Sequence, residues 1–175
     1  MKKVLLVALM ILLATTAVFA KTEAKFSLGV QNTGLNVEVK KYEKMDAKTT
    51  VTFDVATETD IFFKDGLGIN VILGAEENFK TFNLAFGFAY NYAINKNWSL
   101  VASLGPAFSF NENRNSFGMY AHIDFDFLAG KTFFARLGTG LDMEFVQFGG
   151  KAKRDATTNF VLNMPIPRVA IGWKF

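Results

Sequence analysis

The sequence predicts an all-β chain, an eight-stranded antiparallel up-and-down transmembrane β-barrel, and three observations predict it. Apolar and polar residues alternate with period two, not 3.6, in eight segments near 25–31, 48–63, 67–76, 79–94, 98–110, 117–128, 132–147 and 160–175. Tight turns and longer polar connections alternate between these segments. The face opposite the apolar one carries Gly, Ala, Ser and Asn with sparse charges, which suits the inside of a narrow tube better than the Lys/Glu-rich surface of a soluble sheet.

In chain order, Met1-Lys2-Lys3 is a positive start, Val4 to Leu13 an uncharged apolar run, and Val18-Phe19-Ala20 ends in a small residue suited to cleavage. Residues 1–20 therefore read as a cleaved signal peptide and 21–175 as the barrel domain. An anchor reading is weaker, because Val4 to Ala20 is only just long enough for about 30 Å of hydrocarbon. Two of the 19 basic residues, Lys2 and Lys3, leave with the leader, so 17 remain against 16 acidic ones. That balance offers nothing to nucleic acid. With no Cys there is no disulfide framework and no CxxC motif.

The first segment places Phe26, Leu28 and Val30 on one face, then slips phase across Asn32-Thr33-Gly34 to Leu35, Val37 and Val39. Either strand one runs through a bulge to about residue 40 or a hairpin-like excursion follows it. Lys64-Asp65-Gly66, Asn95-Lys96-Asn97 and Ala129-Gly130-Lys131 are the tight turns. The other connections are about 32–47, a short Glu76-Glu77-Asn78, Asn111 to Ser116, and Gly149 to Thr158. Three on one side and four on the other are what a barrel with both termini on one side requires. The clearest alternations are Phe82, Leu84, Phe86, Phe88, Tyr90 and Tyr92, and Phe117, Met119, Ala121, Ile123, Phe125 and Phe127. Along the last segment the phase changes between Ile166 and Val169, beside Pro165 and Pro167, which predicts a β-bulge there. Pro106 has no explanation.

Of the 26 aromatic residues, 20 are Phe, and they gather at segment ends. Phe62, Phe63, Tyr90, Tyr92, Trp98, Phe125, Phe127, Phe133, Phe134, Trp173 and Phe175 border the tight turns or the terminus. Phe79, Phe82, Phe108, Phe110, Phe117, Phe145, Phe148 and Phe160 border the longer loops. Two such rings are what membrane interfaces demand of a barrel, with apolar side chains such as Leu84, Phe86, Ile123 and Leu137 between them facing lipid.

The ending Arg168-Val169-Ala170-Ile171-Gly172-Trp173-Lys174-Phe175 resembles the C-terminal strand of bacterial outer-membrane barrels, and the whole mature chain resembles the small OmpA/OmpX/OmpW-like group, most typically over 87–105. The resemblance implies a place in the outer membrane of a Gram-negative cell envelope and contact with outer-membrane lipid; the sequence does not disclose the oligomeric state, and a monomer is the expectation. The resemblance also implies that Trp173 and Phe175 are an assembly signal read by the barrel-assembly machinery. The chain is too short after strand eight for the peptidoglycan-binding domain of OmpA.

Eight strands leave an interior about filled by side chains, so no wide pore is expected. By parity the inward set includes Asp54, Asn70, Asn83, Tyr120, His122, Asp124, Asp126, Arg136, Asp142, Glu144, Arg168 and Lys174. Buried cations require partners, so Arg136 and Arg168 should meet Asp124, Asp126 or Asp142 in a structural polar network that also takes in Tyr120, His122 and Glu144. A gated ion path is the functional alternative. A lipid A-modifying enzyme is a third reading, yet the sole His, His122, sits in Ala121-His122-Ile123-Asp124 and lacks the His-x-Ser arrangement of the lipid A deacylases. No catalytic, cofactor or metal residues are assigned, and Gly138-Thr139-Gly140 lacks the following helix of a phosphate loop. In the loops, Lys40, Lys41, Lys44 and Lys48, and Lys151, Lys153 and Arg154, are candidate contacts for lipid phosphates. The expectation is a non-enzymatic outer-membrane barrel with a plugged lumen and loops that bind lipid, host or partner. The alternative from another class is a secreted, soluble lipocalin-like barrel enclosing a small apolar ligand.

Overall fold

The computed structural model describes residues 22–40, 46–48, 52–76, 79–111, 115–148 and 158–175, with side chains described except at 32–40, 46–48, 52, 147–148 and 158–160. The leader expected over 1–20 lies outside them. The strands are β1 (Glu23–Lys40), a short β2 (Asp46–Lys48), β3 (Thr52–Phe62), β4 (Leu67–Glu76), β5 (Thr81–Ala93), β6 (Trp98–Asn111), β7 (Asn115–Ala129), β8 (Phe133–Phe148) and β9 (Thr158–Lys174). Every neighbouring pair is antiparallel, and β1 pairs with β9, so β1 and β3 to β9 close an eight-stranded barrel while β2 adds to the rim of β1. At the closure the last residue is tied in by its backbone, Phe175 N–H donating to the Ala24 carbonyl at 2.8 Å and Ala24 N–H to the Phe175 carbonyl at 3.3 Å.

The tight turns use the chemistry their residues supply. Gly66 and Gly130 sit at φ 85° and 84°, the left-handed region a side chain avoids. Asn95 Oδ1 accepts from Asn97 N–H at 2.9 Å and Trp98 N–H at 3.0 Å, closing its turn locally. The phase slips read in the sequence coincide with irregular pairing. On β1 and β9 the register shifts between Gln31 and Thr33 and between Thr33 and Leu35, opposite the stretch from Arg168 to Met164. Strand one runs through this irregularity to Lys40, and the short β2 folds back on it, so extension and excursion both occur. Beyond Thr33, β1 no longer pairs with β3 and is held by β9 and β2.

The faces decide the environment. Phe86, Ile123 and Leu137 are 46%, 51% and 57% exposed, whereas Asp124 and Arg136 are 0% and 2% exposed. The barrel is thus apolar outside and polar inside, the reverse of a water-soluble sheet. Phe63, Tyr90, Tyr92, Trp98, Phe125, Phe127, Phe133, Trp173 and Phe175 are outward at the tight-turn end, and Phe79, Phe82, Phe110 and Phe145 at the other. Two members of the expected first ring are corrected: Phe62 and Phe134 are each 1% exposed and point inward. Phe62 has the parity of Asp60 and Phe134 that of Arg136, so alternation overrides their nearness to a turn. Phe62 packs on Ala89 and Val101 and forms the apolar floor of the lumen at the tight-turn end.

Candidate functional site: the polar lumen

The described polar side chains of the lumen lie in two layers. The lower one, above the Phe62 floor, is an ion-pair network. Arg136 on β8 donates from Nε to Asp126 Oδ1 at 2.7 Å, and from Nη2 to Asp60 Oδ2 at 2.8 Å and Asp126 Oδ2 at 3.0 Å. Its Nη1 lies 2.8 Å from Glu58 Oε2 as an ion pair without hydrogen-bond alignment. Arg168 on β9 holds both oxygens of Asp124 from Nη1 at 2.9 Å and reaches Glu58 Oε2 from Nη2 at 3.0 Å. Glu58 therefore joins the two guanidinium groups. Asn70 on β4 donates to Glu58 at 2.7 Å and to Asp60, and Tyr120 OH donates to Asn70 Oδ1 at 2.7 Å. Lys25 completes the layer, donating to Asp126 at 2.9 Å and Ser99 Oγ at 3.1 Å while lying over the Phe62 and Phe134 rings. Dispersed over seven strands, these contacts tie opposite walls of the tube together.

Arg168 with Asp124 and Arg136 with Asp126 are pairs that inward parity had made available. Asp142 goes elsewhere: one of its oxygens lies 2.8 Å from His122 Nε2, in the upper layer. Glu144 lines the cavity above, and Lys174 pairs with Glu23 at 2.6 Å near the seam. Lys25, Glu58 and Asp60 were not singled out from the sequence, although each has inward parity: Lys25 alternates with Phe26, and Glu58 and Asp60 continue the phase of Asp54. Trp173 and Phe175 face outward, Trp173 edge-on to Phe133 at 5.1 Å between ring centres. The side chain of Lys40, and Lys41, Lys44, Lys151, Lys153 and Arg154, lie outside the described residues.

Two glycines make room for this layer. A Cβ on Gly138 would run into the Asp124 carboxylate and lie 2.8 Å from the Ile123 carbonyl, and one on Gly140 would run into the His122 ring and lie 2.7 Å from the Ala121 carbonyl. Gly138-Thr139-Gly140 is thus the slot in β8 into which β7 turns its Asp and His. Gly138→Ala should push Asp124 off Arg168 and cost about 1–3 kcal/mol by overpacking. Urea unfolding in detergent measures it, and a variant as stable as the parent would mean that the slot is not needed.

Above the network lies a cavity of about 240 Å³ on the side of the longer connections, lined among others by Asp54, Glu76, Tyr120, His122, Asp142 and Glu144. Asp54 and Glu76 face each other across β3 and β4, and Asp142 and Glu144 stand on β8 opposite Asn163 and Val161 of β9. Among the described residues no three acidic or imidazole groups converge closely enough to hold a metal ion.

No protein-family model matches the sequence, and no curated protein is similar to it. Solved structures do resemble the fold. The N-terminal β-barrel domain of Pseudomonas aeruginosa OprF superposes with TM-score 0.57 at 9% identity, over 89% of this chain and 98% of that one. Neisserial surface protein A gives 0.55 at 9%, over 88% and 96%. Ail, the attachment invasion locus protein of Yersinia pestis, gives 0.51 at 11%, over 87% and 98%. The likeness is one of architecture, and by it this chain has the fold of the small eight-stranded outer-membrane barrels.

Proposed function

We propose that this protein is an integral, non-enzymatic barrel of a bacterial outer membrane, exported through its leader, with a lumen plugged by the ion-pair network and function carried at the loop end. The observation that carries this reading is the inversion of the faces: charge is paired within the tube while Phe, Leu, Ile and Val coat its outside. A soluble calyx for an apolar ligand would reverse that arrangement, with an apolar interior and a wet exterior. The loop lysines would contact lipid phosphates, a host surface or a partner, and Phe175, tied to Ala24 at the seam, would be the residue that the assembly machinery reads.

The non-enzymatic part rests on His122. One ring nitrogen is engaged by Asp142, and among the described residues the other has no hydrogen-bond partner, so none of their hydroxyls, that of the cross-strand neighbour Ser103 included, is hydrogen-bonded to it as a nucleophile would be. Mass spectra of lipid A from cells with and without the protein should be identical; a changed acyl or phosphate pattern would replace this reading by an enzymatic one.

Membrane residence is tested by extraction and electrophoresis. The protein should stay in the pellet through carbonate or urea washing and migrate differently in a detergent gel when boiled and unboiled. Release into the soluble fraction without detergent would rule out membrane residence. The plug is tested separately in a planar bilayer, where the parent should show no steady conductance and Arg136→Ala should open brief, small currents. Sustained current through the parent would show an open path.

A further inference from the structure

The three tight turns are pinned by the same kind of bond. In each, a backbone carbonyl of the turn accepts from an N–H of the wall beyond it: Gly66 from Asn91 of β5 at 2.8 Å, Asn97 from Leu128 of β7 at 2.7 Å, and Thr132 from Lys174 of β9 at 2.7 Å. Each turn leans on the next stretch of wall, and the paired backbones of Phe175 and Ala24 close the series into a belt round the rim. A turn held in this way has little freedom left to lose on binding.

One exposed lysine stands in each pinned turn: Lys64, Lys96 and Lys131. The turns join β3 to β4, β5 to β6 and β7 to β8, so in the closed ring of eight strands the lysines occupy three of its four quarters. The acidic side chain among them is Asp65, whose Oδ1 accepts from Leu67 N–H at 3.2 Å. No ion pair among the described residues engages a turn lysine. The fourth quarter is the seam, where Lys174 is spent on Glu23 at 2.6 Å beside the terminal carboxylate of Phe175. Residues 1–21, outside the described set, bring Lys2, Lys3 and Lys21 and no acidic side chain, so they can only add to the positive surplus. The connections whose side chains are not described leave the barrel at the other end. The 10 residues of β4 put that end about 33 Å away along the strand, beyond a Debye length of about 8 Å.

Aromatic side chains set the depth of this cationic belt. Phe63 precedes Lys64, Trp98 follows Lys96 by two residues and Phe133 follows Lys131 by two, and all three rings face outward. Such rings settle at the headgroup level of a bilayer, and a lysine stem beside one carries its ammonium to the phosphates. Resting on the membrane reading above, we propose that the tight-turn rim is a docking surface for anionic phospholipid. Lys64, Lys96 and Lys131 each hold a headgroup phosphate, and phospholipids of net negative charge gather round this end in preference to zwitterionic ones. This rim is the opposite one from that of the loop lysines.

The two tryptophans of the chain, Trp98 and Trp173, both sit at this end, so their fluorescence reads the lipid beside the tight turns and not the lipid beside the loops. The full chain is refolded in vesicles of phosphatidylcholine and phosphatidylglycerol in equal amounts, with bromine placed high on the acyl chains of one lipid or the other. At low salt, brominated phosphatidylglycerol should quench about twofold more than brominated phosphatidylcholine, and the excess should shrink as salt is raised. Lys64→Gln, Lys96→Gln and Lys131→Gln combined should bring the two lipids level while the boiled and unboiled forms still migrate apart. Lys64→Arg, Lys96→Arg and Lys131→Arg combined should keep the excess. Equal quenching by the two lipids in the parent, or an excess that survives in the glutamine variant, would overturn the proposal and leave membrane residence standing. No quenching by either lipid would overturn membrane residence, and the proposal with it.

Discussion

Arg136→Met should lower the unfolding free energy of the refolded barrel by about 3–5 kcal/mol, because it leaves buried carboxylates without their cation. The loss falls unevenly. Glu58 keeps Arg168 and Asp126 keeps Lys25, but Asp60 is left with Asn70 alone among its described partners. Adding Asp60→Asn to Arg136→Met should therefore restore part of the stability, since it removes the stranded charge and keeps the shape. Urea unfolding in detergent, followed by Trp fluorescence, measures both. A single-variant loss below about 1 kcal/mol would mean that water reaches this layer and screens it as it screens surface pairs. A double variant no more stable than Arg136→Met would show that Asp60 is not the group at fault.

Ile123→Arg should cost about 2–4 kcal/mol in a lipid bilayer, the range for a cation at the midplane on the lipid face of a barrel. Ile123 is 51% exposed in the middle of β7, flanked across the sheet by Ala102 and Thr139, with no carboxylate on its own face nearby in the register. The same substitution in a water-soluble protein would be almost neutral at such an exposed site. Folding in vesicles over a urea series gives the number. An Arg at 123 as stable as Ile would require the outer surface to be wet, and the account of the exterior would fail with it.

Much of this architecture was legible because period two is a strong signal when one face is uniformly apolar. Phe82 to Tyr92 and Phe117 to Phe127 sufficed to orient two strands, and from them the inward placement of Asp124, Asp126 and His122. Parity says which side of the wall a residue occupies, but not what stands opposite. That depends on strand tilt and stagger, which no local pattern encodes. Hence Lys25 meeting Asp126, 101 positions away, and Glu58 linking two arginines were beyond reach, although all of these residues lay on the inward phase. Phe62 and Phe134 were misplaced for a different reason. Their nearness to turns favours an interfacial ring and their parity favours the lumen, and parity is the stricter constraint because it follows from backbone geometry. The irregular stretch from Gln31 to Leu35 opposite Met164 to Arg168 was visible as a phase change; β2, three residues long, left no periodic trace.

The barrel wall is not of even height. The seven residues of β1 beyond Thr33 no longer pair with β3, and at about 3.3 Å per residue they carry the strand about 23 Å further, backed by β9 on one edge and met by β2 on the other at Asn36 to Glu38. Two strands round the ring, β4 stops at Glu76. Within the described residues the tube is cut on a slant, like a quill, and its opening faces sideways.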